Sequence, residues 1–286
     1  MMKKTLHSSF ADKYGPWALI AGASEGLGAE FAKQLASAGL HLVLVARRPD
    51  KLREFAAWLE KKYVVRVCTV AADLGAPQSL DLILSALDDK TLGLMVYNAA
   101  YSKVGPFVER QADELSSTVD VNARGPLLMV HSLLPRLIER RGGIVLMSSL
   151  SGNQGSAGVA AYAASKAFNS ILGQSLWYEL RPLGVDVTVC CAGAVRTPGY
   201  LKAASAGGQV KEAPGTLDAD MVAGTALHAL GRKPFVIPGR INRLADWMMT
   251  KLLSRKRAVL VMGNVTRELS AANSIHNAEK VEGGDR

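Results

Sequence analysis

The chain has 286 residues, 49% of them hydrophobic, a formal charge of +9 and only three cysteines. Such a length buries a large core as one α/β unit, and no uninterrupted apolar run approaches the roughly 18 residues a membrane span needs. Cys68, Cys190 and Cys191 fall in predicted strands without CxxC or metal-ligand spacing, which points away from a disulfide framework or a metal site and toward a soluble, cytoplasmic protein.

The amino-terminal stretch MMKKTLHSSFADKYGPWALIAGA sets two lysines ahead of an apolar run, as a signal peptide does. Asp12, Lys13, Gly15 and Pro16 interrupt it, however, and WALIAGA passes straight into a glycine turn, as a buried strand would. Strand-like and helical runs then alternate almost to the end. The predicted strands are Trp17 to Ala21, His41 to Ala46, Arg66 to Val70, Leu92 to Tyr97, Ile144 to Ser148, Asp186 to Cys191 and Phe235 to Pro238. The predicted helices lie near Leu27 to Ala38, Lys51 to Lys61, Leu80 to Leu87, Ala112 to Arg140, Ala157 to Arg181 and Ala219 to Leu230. This alternation predicts an α/β fold with one doubly wound, seven-stranded parallel sheet and helices on both faces. A catalytic unit is expected over residues 1–239. Within it Pro198 to Leu217, rich in Gly, Ala and Pro and without periodicity, is the expected mobile substrate loop.

Three stretches carry chemistry. Gly22, Gly26 and Gly28 in AGASEGLG join the first strand to the first helix, where backbone N–H groups can approach a pyrophosphate at the helix's positive end. The spacing is G-x-x-x-G-x-G, and a purely structural turn would look the same. In SLSGNQGSAGVAAYAASK, Tyr162 and Lys166 are four apart on a predicted helix, so they stack on one face. A neighbouring ammonium is expected to lower the phenol from its usual ~10, fitting Tyr162 for proton transfer. Ser149, closing the strand GGIVLMSS, can hold the same substrate oxygen. Finally, Pro126 lies four residues after Asn122 and has no N–H for the Asn122 carbonyl, which leaves that oxygen free for water, or simply kinks the helix.

The glycine turn, Asn98-Ala99-Ala100, Asn122, Ser149 and the YAASK of Tyr162 to Lys166 together resemble the short-chain dehydrogenase/reductase family, in order and separation, from about Trp17 to Thr197. Ser149 stands thirteen residues before Tyr162, as the family's catalytic serine does. The resemblance implies a Rossmann-type sheet, a nicotinamide cofactor and a catalytic tetrad of Asn122, Ser149, Tyr162 and Lys166, with a water on the Asn122 carbonyl connecting Lys166 to solvent. It also implies cofactor contacts from Gly22, Ser24, Gly26, Leu27, Gly28, Arg47, Asp73, Asn98, Tyr162, Lys166, Val195 and Thr197. Two positions depart from the family pattern: Ala100 replaces a glycine, and Ala192-Gly193 replaces Pro-Gly. Asp73 flanks the adenine by this resemblance and caps the next helix by its residue type alone. The second strand ends VLVARR, so Ala46 offers no carboxylate for a ribose diol while Arg47 and Arg48 suit a 2′-phosphate. NADP(H) is therefore the expected cofactor and NAD(H) the alternative; Glu25 would oppose the phosphate unless an arginine pairs with it. The implied reaction interconverts a ketone or aldehyde and an alcohol, with a 3-oxoacyl, steroid-like or other hydrophobic substrate, in a homodimer or homotetramer. The rival is a catalytically silent NADP(H)-binding regulator, but its usual mark, a lost tyrosine or lysine, is missing.

Much of the basic charge lies between Arg240 and Arg257, where six basic residues accompany one acid, Asp246. Trp247 is the one aromatic among them, not an interleaved series, which argues against single-stranded nucleic acid as a partner. Ile241, Leu244, Ala245, Met248 and Leu252 recur at helical spacing, widened by Met249 and Leu253, with Asn242, Arg243, Asp246, Thr250 and Lys251 opposite and Trp247 at the flank. The extension 240–286 is thus expected to begin with a basic amphipathic helix. Its apolar face would pack on the body or on a second subunit, or serve as a lid or a peripheral membrane contact through 240–257.

Overall fold

The computed structural model describes residues 6, 8–204 and 212–264. Its strands are β1 (Trp17–Ala21), β2 (His41–Ala46), β3 (Val67–Ala71), β4 (Leu92–Tyr97), β5 (Gly143–Ser149), β6 (Asp186–Ala192), β7 (Val195–Arg196), β8 (Leu217–Asp218) and β9 (Phe235–Val236). The helices are α1 (Ser8–Tyr14), α2 (Gly26–Ser37), α3 (Pro49–Lys62), α4 (Ser79–Ala86), α5 (Ala112–Val119), α6 (Gly125–Arg140), α7 (Ala160–Leu180), α8 (Pro198–Ala204), α9 (Ala219–Ala229) and α10 (Arg240–Trp247). Residues 255–264 form a further helix.

Seven strands make one parallel sheet in the order β3-β2-β1-β4-β5-β6-β9. The central strands β1 and β4 are buried along their whole length, as helices on both faces require, and their sequences WALIA and LGLMVY are correspondingly apolar without alternation. One core layer joins the sheet to α2, α3 and α9 through residues such as Phe31, Leu35, Leu52 and Val222. The other joins it to α4, α6 and α7 through Ile83, Met129, Leu133 and Leu180. Chain order reverses between β1 and β4, so the connections leaving their carboxyl ends diverge and open a crevice there.

The expected strands recur within a few residues, and the amino-terminal apolar run is indeed the buried strand β1. The expected helix Ala112 to Arg140 is interrupted by a π turn, Asp120–Arg124, in which the Gly125 N–H reaches the Asp120 carbonyl. Helix α7 starts at Ala160 rather than Ala157, after a 3-10 turn at Leu150–Gly152 and a left-handed Gly158. In the expected loop, Pro198–Ala204 is helical and residues 205–211 lie outside the described residues. Its two ends are tied together. Strand β7 pairs with β8, and Arg196 bridges Glu212 at 2.7 and 2.8 Å and Asp218 at 2.8 Å.

Helix α10 is present, but the expected face does not pack on the body. Asn242 is buried, donating to the Gly215 and Pro238 carbonyls at 3.1 Å each, and Asp246 accepts from Asn153 at 2.6 Å. Leu244 and Leu252 are instead 58% and 61% exposed. The cause is the seat: Asn242 lies against Gly193 and Gly215, a crevice edged by backbone carbonyls that an amide can satisfy and a leucine cannot. Among the described residues no helix is long and apolar enough to cross a membrane, and no His/Cys/Asp/Glu cluster could hold a metal.

Candidate active site

The glycine turn between β1 and α2 is shaped by the chain's own packing. Gly22 has φ +83°, and a Cβ there would meet the Ala99 Cα at 2.7 Å. A Cβ on Gly28 would fall inside the Gly22 carbonyl oxygen, so helix and turn can approach only because both are glycine. The Asn98 amide locks the turn by donating to the Gly22 carbonyl at 2.9 Å, which places Asn98 behind the turn. Thr197 abuts Gly26 from the other side, at 3.0 Å from where its Cβ would stand, and brings the segment after β6 to the mouth of the turn. Ser24 and Leu27 are half-buried in the same turn, and Val195 pairs with Leu217 in the β7–β8 ladder beside it.

These residues fit a dinucleotide. The residue before α2, Glu25, makes no side-chain cap, and the first turn carries no acid, so its N–H groups are left for an anion. Glu25 turns instead to Arg48 at 2.7 Å, with Lys51 at 3.9 Å. The carboxylate that would oppose a 2′-phosphate is thereby neutralised, and exposed Arg47 has no ion-pair or hydrogen-bond partner among the described residues. Asp73 does not cap α4, which starts at Ser79; its carboxylate accepts from the Gly75 N–H at 3.0 Å and turns the chain beyond β3.

On the far side of the crevice, β5 ends at Ser149 and α7 presents Tyr162 and Lys166 one turn apart. Ser149 hydrogen-bonds the Tyr162 phenol, and Lys166 Nζ lies 5.6 Å from the centre of the Tyr162 ring. Lys166 is buried and donates to the Met147 carbonyl at 3.1 Å. The phenol is not lowered as expected: burial raises it, and only the Ser149 hydrogen bond opposes the rise. Burial also lowers the Lys166 ammonium to about 8. With the ammonium held by Met147, the cation is spent on a carbonyl rather than on the phenol.

Asn122 is fully buried in the π turn. Its side chain clasps the Tyr101 backbone, accepting from its N–H at 2.7 Å and donating to its carbonyl at 2.8 Å, and also donates to Ser165 Oγ at 3.1 Å. Its own carbonyl is not left to water alone. The Asn169 amide donates to it at 2.9 Å, while the neighbouring Val121 carbonyl, freed by the same π turn, accepts from Tyr97 Oη at 2.6 Å. Asn169 is not among the residues that local sequence spacing marks. The available signal was a polar residue seven positions after Tyr162, on a helix face otherwise buried; its Oδ1 is buried without a partner among the described residues.

Asn153 also escaped notice. It follows the 3-10 turn after Ser149, touches Cys191 Sγ at 3.8 Å and holds Asp246, so it fastens α10 to the loop ahead of Tyr162. Burial and Asp246 push the Cys191 thiol up to about 12, which leaves it a neutral packing residue. Beside Tyr162 runs a shallow groove walled by Phe107, Leu115, Val159 and Ala160; Lys103 and Arg110 cross its edge to Glu114 at 3.5 Å each.

The sheet order, the glycine turn at the positive end of α2 and the crevice at the β1/β4 reversal define a Rossmann-type dinucleotide-binding protein. The profile of the short chain dehydrogenase family matches residues 16–206, and the chain belongs to that family of oxidoreductases acting on CH–OH groups. The chain is 30% identical over 240 residues to a 7beta-hydroxysteroid dehydrogenase of Mediterraneibacter gnavus, covering 82% of this chain and 91% of that one. It is also 35% identical over 179 residues to the inactive hydroxysteroid dehydrogenase-like protein 1 of Homo sapiens, covering 61% and 54% respectively. A structure solved for 7beta-hydroxysteroid dehydrogenase stereoselectivity superposes with a TM-score of 0.82 at 26% identity, covering 88% of this chain and 98% of that one. A short-chain dehydrogenase from Sphingobium yanoikuyae in complex with NADPH does so with a TM-score of 0.72 at 31% identity, covering 79% and 89%.

Proposed function

We propose that the protein is an NADP(H)-dependent oxidoreductase that interconverts an apolar ketone or aldehyde and its alcohol, with Tyr162 as the acid in reduction and the base in oxidation. The observation that carries this reading is the convergence of Ser149, Tyr162 and Lys166 at the sheet edge that also bears the glycine turn. Bound NADP(H) would supply or accept the hydride. The chain's own part is the proton: Tyr162 Oη gives it to the carbonyl oxygen in reduction, and Ser149 Oγ holds that oxygen in line. The upward push of burial keeps the phenol protonated at neutral pH, which favours reduction. Asn122 fixes the Tyr101 backbone and, through Ser165, the helix that carries Tyr162. Lys166, buried on the same helix one turn after Tyr162, is assigned to the ribose in this reading.

NADP(H) over NAD(H) is supported by uncommitted Arg47, by Glu25 paired away to Arg48, and by the NADPH-bound relative. The hydroxysteroid dehydrogenase relatives, with Phe107, Leu115 and Val159 walling the groove beside Tyr162, support a steroid-like or other hydrophobic carbonyl, with 3-oxoacyl compounds as the neighbouring class. Residues 1–239 are read as the catalytic unit and 240–286 as its extension, in a cytoplasmic homo-oligomer; three free cysteines, two of them buried and adjacent, suit a reducing compartment. The second reading, a silent cofactor-binding regulator, draws on the inactive human relative. A panel of hydrophobic ketones and alcohols, assayed with NADPH and with NADH, separates the two: turnover of at least one member with NADPH is expected, whereas cofactor binding without turnover of any would favour the regulator.

A further inference from the structure

We propose that the outward face of α10 and of the helix over 255–264 docks on the surface of an anionic lipid bilayer. The body takes the polar side of α10, through Asn242 and Asp246, and this forces the apolar side out. Ile241, Leu244 and Met248 recur at i, i+3 and i+7 along that side, and all are exposed. Leu252 continues the stripe past a π turn at Met248–Leu252, Trp247 flanks it half exposed, and Leu260 extends the exposed apolar surface on the following helix.

Charge identifies the occupant. Arg240, Lys251, Arg255, Lys256 and Arg257 are all exposed; Arg243 is exposed too but turns back to donate to the Ile237 carbonyl at 3.4 Å, and among the described residues no carboxylate lies within ion-pair range of any of the six. The one acid of the segment, Asp246, is turned inward onto Asn153. The outward surface is therefore an apolar stripe within a rim of one sign. A second copy meeting this face about a two-fold axis would set the same cations against themselves. The residues after 264, VTRELSAANSIHNAEKVEGGDR, contain no apolar run to match the stripe. An anionic bilayer answers both features, taking the apolar side chains at the acyl boundary and the cations among the headgroups. Because Asn153 joins α10 to the loop before Tyr162, and Val259 approaches Gly155 in that loop, docking would bring the candidate site to the lipid surface. Delivery of an apolar substrate by this route rests on the function proposed above; the docking does not.

The full-length chain is sedimented with phosphatidylcholine vesicles, with and without phosphatidylglycerol. Partition is expected to be at least about tenfold stronger on the anionic vesicles and to weaken with added salt. Leu244→Glu with Leu252→Glu should lower it about tenfold with an unchanged circular dichroism spectrum, and each of Lys251→Glu and Arg255→Glu about fivefold. No partition by the wild type, or partition indifferent to these substitutions, overturns the proposal. So does a dimer in sedimentation equilibrium that the same substitutions abolish without any vesicle binding, which assigns the face to a second copy. Partition shown only after removal of residues 265–286 also overturns it, since the face would then belong to the tail.

Discussion

Lys166 should cost the fold stability at the pH where it is expected to work. Its side chain is 3% exposed, and burial brings its proton affinity from 10.5 down to about 8. An unfolded lysine holds its proton to ~10.4, so between about 8 and that value the unfolded chain binds more protons and stability rises with pH. Below this window the folded protein carries the whole penalty, which at 1.36 kcal/mol per unit amounts to about 3 kcal/mol. Replacing Lys166 by methionine keeps the volume and removes the charge, at the loss of one hydrogen bond to the Met147 carbonyl, about 1 kcal/mol. The net expectation for Lys166→Met at pH 7 is a gain of about 2 kcal/mol, seen as a rise in Tm of about 3 °C for a chain of this size. Urea and thermal melts of both proteins at pH 7 and pH 10 test it, with turnover measured alongside. The gap should shrink at pH 10, where the wild-type lysine is neutral, while activity with NADPH is lost at both. A variant less stable than wild type at pH 7, or a gap that does not change with pH, would refute the argument that an unneutralised buried ammonium is retained here for chemistry.

Arg47→Asp should move the ratio of kcat/KM for NADPH over NADH toward NADH by tenfold or more, because a carboxylate there repels phosphate and accepts from a ribose diol; an unchanged ratio would shift 2′-phosphate recognition to Arg48. Asn169→Ala removes the donor to the Asn122 carbonyl but also an Oδ1 that has no partner among the described residues, so the two effects offset and denaturant melts should show a loss of no more than about 1 kcal/mol. A loss several times larger would mean that Oδ1 is bonded to a buried water. Alcohol oxidation needs the Tyr162 phenolate, which burial disfavours, so its rate should keep climbing as pH rises through the alkaline range while carbonyl reduction stays level or falls; an oxidation plateau already reached at neutral pH would contradict the upward shift.

The sheet was legible because its strands are short apolar runs separated by amphipathic helices, a period change that survives without tertiary knowledge. The grouping of the candidate site residues was legible because their spacing is local: Tyr162 and Lys166 share one helix face, and Ser149 ends the strand just before it. What escaped was set by contacts distant in sequence. Asn169 matters because a π turn frees a carbonyl 47 positions earlier. Asn153 matters because Asp246 lands on it. The orientation of α10 was left open for a related reason: a hydrophobic periodicity identifies an apolar face, but which face meets the body depends on the seat, and backbone carbonyls around Gly193 and Gly215 select an amide. Likewise the expected lowering of the phenol assumed that proximity of a cation decides, whereas burial and the competing Met147 carbonyl decide here.

Tyr162→Phe tests the proposed proton transfer most directly. The substitution removes one oxygen and its hydrogen bond to Ser149 and leaves the glycine turn and Arg47 untouched, so NADPH binding followed by fluorescence should remain within a few-fold of wild type. Turnover of any carbonyl that the wild type reduces should fall by at least about a hundredfold, the scale of a lost general acid. A variant that binds NADPH and still reduces that carbonyl at the wild-type rate would show that the proton comes from another group.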